Sequence, residues 1–324
     1  MNASTLTDTT AAPSRRDLKD ARHDRWFRYA LIAVVVFVLV SLASAALSML
    51  WGGRDVLAQS GINFFISSEW NPVANKYGAL APIYGTVVTA LIAMLIAVPI
   101  SFGIALFLTE VAPRWLRTPI GTAIELLAAI PSIIYGMWGL FVLVPMMTEH
   151  VTPWINDNLG VIPGIGRLFQ GPPLGIGMLT AGFVLAIMVI PFISSVMREV
   201  FLTVPTRLKE SAYALGSTRW EVAWDIVLPY TRAAVVGGIF LGLGRALGET
   251  MAVAFVIGNS VQLSASLLEP GTTIAALIAN DFGEATETYR SALLLLGFVL
   301  FIVTFVVLAI ARFMLLQLSR KEGN

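Results

Sequence analysis

The sequence predicts an all-α integral membrane protein with six transmembrane helices. Hydrophobic residues make up 57% of its 324 residues and charged residues only 13%. The charged fraction is about half of what a soluble domain carries. The hydrophobic residues are grouped into six runs, each long enough to cross a bilayer as a helix. The predicted spans are residues 29–50, 80–108, 120–146, 174–197, 233–257 and 291–312.

The first span follows a polar tail, residues 1–28, that becomes strongly charged next to the membrane. The run from Tyr29 to Leu50 has 22 residues, which is too long for the core of a signal peptide, so we predict an uncleaved span. We interpret the tail as a mobile cytoplasmic segment or, alternatively, as a short surface helix that contacts a partner. Residues 313–324 form a second cytoplasmic tail, so the membrane domain covers residues 29–312.

The distribution of lysine and arginine predicts the orientation. When the N-terminus is placed inside, 16 of the 21 lysines and arginines lie on the inner side, four lie on the outer side, and Arg245 lies within a span. Cytoplasmic loops of membrane proteins carry an excess of these residues. We therefore expect both termini to be cytoplasmic.

Several function classes are disfavoured by composition. The chain has no cysteine, and its two histidines, His23 and His150, are far apart in this topology, so we expect no disulfide, no thiol catalysis and no metal site. The net charge of +1 gives no indication of a nucleic-acid partner. The sequence also lacks the phosphate-binding loop Gly-x4-Gly-Lys-Ser/Thr. We therefore predict that the chain is not an enzyme and binds no cofactor of its own.

Two segments on the predicted outer side are more than simple turns. Residues 69–86 are rich in turn formers and aromatic side chains, and residues 273–285 contain an apolar stretch that is too short to span a bilayer. Either segment could pack at the membrane interface or dock an external partner.

The inner segment 203–232 predicts an elbow of two helices outside the membrane. Pro205 suits the first turn of a helix, and Gly216 suits the left-handed residue that follows a helix C-terminus. Thr218 and Glu221 match a capping box, so a second helix should begin at once. The elbow could lie on the lipid surface or insert into a groove of another protein.

The second helix of this elbow is expected to carry Trp220, Trp224 and Val227 on one face and to end near Leu228 and Pro229. Within the elbow, Glu210-Ser211-Ala212, then Gly216, then Ile226-Val-Leu228-Pro229 resembles the coupling motif of ABC importer permeases. Ser211 departs from the usual alanine. The resemblance implies that this motif docks on a separate cytoplasmic ATPase subunit, which would use the ATP.

Span five contains two charges in an apolar setting, Arg245 and Glu249. At 100° per residue they share a helix face with small residues such as Gly242 and Gly248, and one turn of helix would let them pair. The pair could be a structural ion pair between helices. It could instead line a path, with the guanidinium fork of Arg245 binding an oxyanion and Glu249 weakening that hold.

Glu125 is a third charge within a predicted span. It could lie near the cytoplasmic end of the span and extend its carboxylate to water. It could also pair with Arg245 or with an arginine of a sister subunit.

The stretch Arg245-Ala-Leu-Gly-Glu-Thr-Met-Ala-Val253, followed by Ile257-Gly-Asn259, resembles the signature of phosphate ABC transporter permeases. Residues 70–86 and 130–140 resemble the PstC-type subunit of that family. The resemblance, from about residue 25 to residue 320, implies a type I ABC importer permease fold in the bacterial cytoplasmic membrane. It also implies inorganic phosphate as substrate, a homologous PstA-type permease, an ATPase homodimer and an extracytoplasmic phosphate-binding protein as partners.

Other functions fit the sequence less well. A permease for another oxyanion and a secondary anion carrier are the alternatives. A secondary carrier often has two similar halves, and the sequence shows no obvious internal repeat. An ion channel would need a repeated filter sequence or a ring of charge, and a membrane enzyme would need a nucleophile and a base at one depth.

Overall fold

The computed structural model describes the backbone of residues 15–322 and the side chains of residues 24–317. These residues are predominantly helical, with a single β-bridge between Asn71 and Lys76. The α-helices are α1 (Arg15–Gly52), α2 (Arg54–Ser60), α3 (Asn63–Ile66), α4 (Leu80–Leu106), α5 (Arg114–Ala128), α6 (Ser132–Trp138), α7 (Val144–Met146), α8 (Thr152–Asn158), α9 (Met178–Leu202), α10 (Thr206–Ala214), α11 (Arg219–Val222), α12 (Leu228–Leu247), α13 (Met251–Ala254), α14 (Ile274–Asp281) and α15 (Glu287–Glu322). A short 3₁₀ turn covers Gly166–Leu168.

The chain divides into two compact units, residues 1–48 and residues 49–324. The described part of the first unit consists of α1 up to Ser48, and the last residues of this helix, to Gly52, belong to the second unit. The hydroxyls of Ser41, Ser44 and Ser48 each donate to a carbonyl three or four residues earlier. Such bonds satisfy hydroxyl groups within an apolar helix without help from water. The predicted first span falls within this helix.

Six helices of the described residues are long and apolar enough to cross a membrane, as predicted. They are Asp24–Gly52, Leu80–Val111, Ser132–Asn158, Met178–Leu202, Arg219–Leu247 and Glu287–Gln317. The third and fifth differ from the predicted ranges. The predicted span 120–146 is broken at Ala129–Pro131, because the residue before a proline is disfavoured in helical conformation. Its first part belongs to the amphipathic α5, and the membrane-length helix begins at Ser132.

Four π-helical segments interrupt these long helices, and each ends two residues before a proline. They are Phe107–Val111, Gly139–Leu143, Met147–Val151 and Ala223–Val227, followed by Pro113, Pro145, Pro153 and Pro229. In the first, the N–H of Ala112 donates to the carbonyl of Phe107, five residues earlier, at 2.7 Å. A proline has no N–H and clashes with the carbonyl four residues before it, and a wider turn accommodates both effects. The prolines therefore widen the helices locally; Leu80–Val111 ends at its π-helical segment, whereas Ser132–Asn158 and Arg219–Leu247 continue past theirs.

The core of the second unit lies between α4 and α9. A Cβ atom built on Gly182 of α9 would lie 2.5 Å from Cγ2 of Ile92, so the two helices approach closely there. Small residues permit this approach between membrane helices. The hydroxyl of Ser101 on α4 donates to the carbonyl of Ile190, next to Pro191, at 3.0 Å. The two helices form the frame on which the site residues are placed.

A second apolar cluster lies at the end of α4 that is remote from the elbow. There the hydroxyl oxygen of Thr86 accepts a hydrogen bond from the N–H of Ile274 at 2.9 Å. The first turn of α14 is buried from Ile274 to Leu277. Trp70, Tyr77 and Tyr289 pack edge to face or stacked in the same cluster. Much of segments 69–86 and 273–285 therefore packs within the chain.

Candidate functional site: the elbow and the span-five arginine

The first helix of the elbow, α10, ends in a turn that requires glycine. Gly216 has φ +92°, and its N–H donates to the carbonyl of Tyr213 at 3.0 Å. The N–H of Ser217 donates to the carbonyl of Ala212 at 3.1 Å. These two bonds define the Schellman motif, which satisfies carbonyls that a helix end would leave unpaired. The predicted glycine turn is confirmed.

The second helix begins with the predicted capping box. The N–H of Thr218 donates to the carboxylate of Glu221 at 2.6 Å, and the N–H of Glu221 donates to the hydroxyl of Thr218 at 3.3 Å. The prediction that this helix ends near Leu228 and Pro229 is wrong. It continues without a break through α12 to Leu247. Proline has no N–H to donate within the helix, and the wider turn of the π-helical segment before Pro229 accommodates this loss.

The three residues predicted to share one face of the second helix differ in exposure. Trp220 and Trp224 are 66% and 42% exposed, whereas Val227 is buried. The two indole rings contact each other, with centroids 5.4 Å apart. The widened π turn changes the angular spacing between these residues. Since this helix is joined directly to span five, a displacement of the elbow would act on that span without an intervening loop.

The residues of the coupling motif are arranged so that one helix face is available. Glu210, Ser211 and Gly216 are exposed, and Ala212 is buried beneath them. Pro229 is exposed and Leu228 half-buried at the start of α12. The roles assigned to these residues stay predictions.

The elbow contacts the π-helical segment Phe107–Val111, which extends the C-terminal end of α4. The contact is made by a residue pair that the sequence did not reveal. Nζ of Lys209 on α10 lies 2.5 Å from Oε1 of Glu110, and the two side chains are only 15% and 7% exposed. Nη1 of Arg219 donates to the carbonyl of Val111 at 3.3 Å. Burial raises the pKa of Tyr213, the nearby Glu110 carboxylate raises it further, and Arg219 opposes the rise. A single sequence gives no signal for this pairing, because 99 positions separate its two members.

Arg245 lies near the end of α12 and is exposed. Its guanidinium carbon is 5.5 Å from the ring centroid of Phe192 on α9. The phenol of Tyr135 on α6 lies within electrostatic reach of it and donates to the carbonyl of Leu127 at 2.9 Å. A cation over a ring is attracted by the ring electrons, and the planar fork of a guanidinium can bind an oxyanion bidentately.

The predicted pairing of Arg245 with Glu249 is absent from the ion pairs of the described residues. The helix α12 ends at Leu247, and the next helix begins only at Met251. Glu249 is therefore not one helical turn beyond Arg245. Its Oε1 instead accepts a hydrogen bond from the N–H of Ala252 at 3.3 Å, at the start of α13.

The two glycines assigned to the same pathway lie in different surroundings. A Cβ atom on Gly242 would lie 2.6 Å from Cδ1 of Ile193, so this glycine permits close packing of α12 on α9. Gly248 lines an apolar cleft of about 370 Å³ with residues of α14 and α15, such as Ala275 and Gly297. Arg245 does not line that cleft. Gly242 and Arg245 therefore share the side of α12 that faces α9, whereas Gly248 and Glu249 lie beyond the end of the helix at Leu247 and do not continue that face.

Glu125 forms its ion pair with Arg198 rather than with Arg245. Oε1 of Glu125 on α5 lies 2.9 Å from Nη1 of Arg198 on α9. The carboxylate is 56% exposed, so screening by solvent makes its contribution to stability small. The pair joins α5 to α9, and these two helices pack against each other.

Comparison with known proteins places the chain in a family. Residues 97–320 match the family model described as "Binding-protein-dependent transport system inner membrane component". The "Phosphate transport system permease protein PstC" of Xylella fastidiosa (strain Temecula1) is 78% identical over 324 residues, with 100% of both chains covered. The protein of the same description from Pasteurella multocida is 57% identical over 298 residues, with 92% of this chain and 93% of the relative covered.

A solved structure shares the fold. It is the crystal structure of a bacterial alginate ABC transporter in complex with a periplasmic protein bound to alginate pentasaccharide. One of its chains superposes with a TM-score of 0.59 at 18% identity, over 93% of this chain and 97% of that chain. At this identity the likeness is one of fold, and it agrees with the predicted permease architecture. The chain belongs to the family of binding-protein-dependent transport system inner membrane components.

Proposed function

We propose that this chain is a transmembrane permease subunit of an ATP-binding cassette importer that carries inorganic phosphate across the bacterial cytoplasmic membrane. The main structural support for this proposal is the elbow with its turn at Gly216. In this elbow Glu210, Ser211 and Gly216 are exposed. That elbow is continuous with a membrane-length helix that ends just after Arg245. The relatives named as phosphate transport permeases support phosphate as the substrate.

In the proposed cycle the elbow faces the cytoplasm and α10 inserts into a groove of an ATPase subunit. Helix insertion into a groove is a common recognition mode, and exposed Leu215 and Glu210 offer apolar and charged contacts. ATP is hydrolysed on that partner. Movement of α10 then displaces α12 through the rigid turn at Gly216.

Arg245 is proposed to bind phosphate in passing. Its N–H groups can hold two oxygens of an oxyanion, and its guanidinium carbon lies 5.5 Å from the centroid of the Phe192 ring. A transport site must bind weakly enough to release its ion. The exposure of Arg245 suits a path that a second permease subunit of PstA type completes.

The proposed assembly contains this chain, a homologous PstA-type permease, an ATPase homodimer and an extracytoplasmic phosphate-binding protein. Reconstitution of these four components in liposomes tests the proposal. Radiolabelled phosphate should accumulate only when ATP, the ATPase and the binding protein are all present. Accumulation driven by an ion gradient in liposomes that contain this chain alone would instead indicate a secondary carrier.

The docking of the elbow is tested by Glu210→Lys. We expect less ATPase to co-purify with the permease pair, because the changed charge lies on the exposed face of α10. Glu199→Lys is the matched control, since Glu199 is an exposed carboxylate on the neighbouring helix α9. Equal recovery of the ATPase from both variants would contradict docking at Glu210.

A further inference from the structure

The ion pair between Glu110 and Lys209 has features that a surface salt bridge lacks. The side chain of Glu110 is 7% exposed and that of Lys209 is 15% exposed. Burial of two charges costs free energy that can exceed their mutual attraction. Such a pair is weak evidence for stability, and in some proteins buried charges fix how two elements are positioned relative to each other.

The pair joins the elbow to a helix that is remote from it in the chain. The helix α10 is linked covalently to α9 by residues 203–205 and to α11 by residues 215–218. These two links lead to spans four and five. Lys209 adds a contact with span two, since Glu110 lies in the π-helical segment that extends α4. The bond from Arg219 to the carbonyl of Val111 reaches the same segment.

Span two in turn reaches the opposite end of the molecule. Between its ends, α4 packs along α9, where Ser101 donates to Ile190. At the far end, Thr86 accepts a hydrogen bond from Ile274 at the start of α14. A Cβ atom on Gly85 would lie 1.9 Å from the carbonyl oxygen of Thr272, so backbone meets backbone there. The end of α4 opposite Glu110 is therefore in direct contact with residues 272–274.

We propose that the Glu110–Lys209 ion pair positions span two on the coupling elbow, so that displacement of α10 is transmitted through α4 to the opposite face of the permease. This inference rests on the proposed function and deepens it. Under it, the elbow drives span two through a non-covalent contact as well as spans four and five through the chain itself. The pair acts on transport through α4 and does not contact the transported ion.

The proposal predicts a change in coupling rather than in assembly alone. The four-component complex is reconstituted with Glu110→Gln, Lys209→Gln, the double glutamine variant, and the exchanged pair Glu110→Lys with Lys209→Glu. The double glutamine variant leaves no unpaired buried charge, so it is the variant best able to fold. Glu199→Gln, an exposed carboxylate on α9, is the matched control. For each, phosphate uptake and ATP hydrolysis are measured on the same assembled complex.

We expect the phosphate transported per ATP hydrolysed to fall about tenfold in the double glutamine variant, which is within the usual range of coupling between sites. The exchanged pair should recover most of this ratio, and Glu199→Gln should leave it unchanged. A ratio equal to that of the wild type in every variant, even with a lower yield of complex, would show a purely structural pair and overturn the inference. No recovery by the exchanged pair would overturn it as well. A wild-type complex without ATP-driven phosphate uptake would overturn the proposed function together with the inference.

Discussion

The guanidinium of Arg245 lies over the ring of Phe192, with 5.5 Å between the guanidinium carbon and the ring centroid. This contact takes the place of the predicted ion pair with Glu249. A charged group within a membrane helix is costly unless it has a partner or reaches water. The ring of Phe192 offsets part of that cost and leaves the hydrogen-bonding edges of the arginine unused by a carboxylate.

Replacement of Arg245 tests its role in transport. Arg245→Ala should lower phosphate uptake by at least about tenfold, the loss expected when a hydrogen-bonded charged group is removed. Arg245→Lys should retain part of the activity, because lysine keeps the charge without the planar fork. Arg290→Ala is the matched control, since Arg290 also lies over a phenylalanine ring, that of Phe282 at 5.7 Å. Wild-type uptake by Arg245→Ala would remove this residue from the pathway.

Substitution of Glu249 separates helix capping from ion pairing. Glu249→Gln keeps a side-chain oxygen that can accept from the N–H of Ala252, so we expect stability and uptake near those of the wild type. Glu249→Lys loses the acceptor and should cost about 1 kcal/mol, as loss of a helix cap does. Thermal unfolding of the purified complex and uptake in liposomes measure both effects. If glutamine impairs uptake as strongly as lysine does, the charge of Glu249 matters and the capping account fails.

Two neighbouring glycines of α12 should respond differently to alanine. Gly242→Ala would place Cβ 2.6 Å from Cδ1 of Ile193, and the overpacking should destabilise the chain by about 1–3 kcal/mol. Gly244→Ala meets only Leu308 at 3.7 Å, and we expect it to be neutral or slightly stabilising. The midpoint of thermal unfolding in detergent distinguishes them. Equal midpoints would mean that α12 does not pack on α9 at Gly242.

The turn of the elbow should depend on glycine at position 216. Gly216→Ala forces a Cβ atom into the left-handed region, where φ is +92°, at a cost of about 1–2 kcal/mol. We expect weaker binding of the ATPase, because the end of α10 must shift. Gly237→Ala is the control, since this glycine lies inside a helix with open space around it. ATPase affinity, measured by titration into the purified permease pair, should fall for position 216 alone.

The sequence by itself determined the features that depend on neighbouring residues. Six apolar runs specify six spanning helices, because a bilayer leaves the backbone few alternatives. The glycine turn at Gly216 and the capping box of Thr218 and Glu221 were predictable, since each is completed within a few positions of the chain. The same locality makes the elbow recognisable without any knowledge of its surroundings.

Only the tertiary structure decided which charges meet. Helical spacing predicted that Glu249 lies beside Arg245, but the helix ends at Leu247. The carboxylate of Glu249 instead accepts a hydrogen bond from the N–H of Ala252 in the next helix. Glu125 meets Arg198 and Glu110 meets Lys209 across 73 and 99 positions. Such contacts depend on how whole helices pack, and the free energy of packing is shared among many side chains. These contacts therefore cannot be predicted from a local pattern in one sequence.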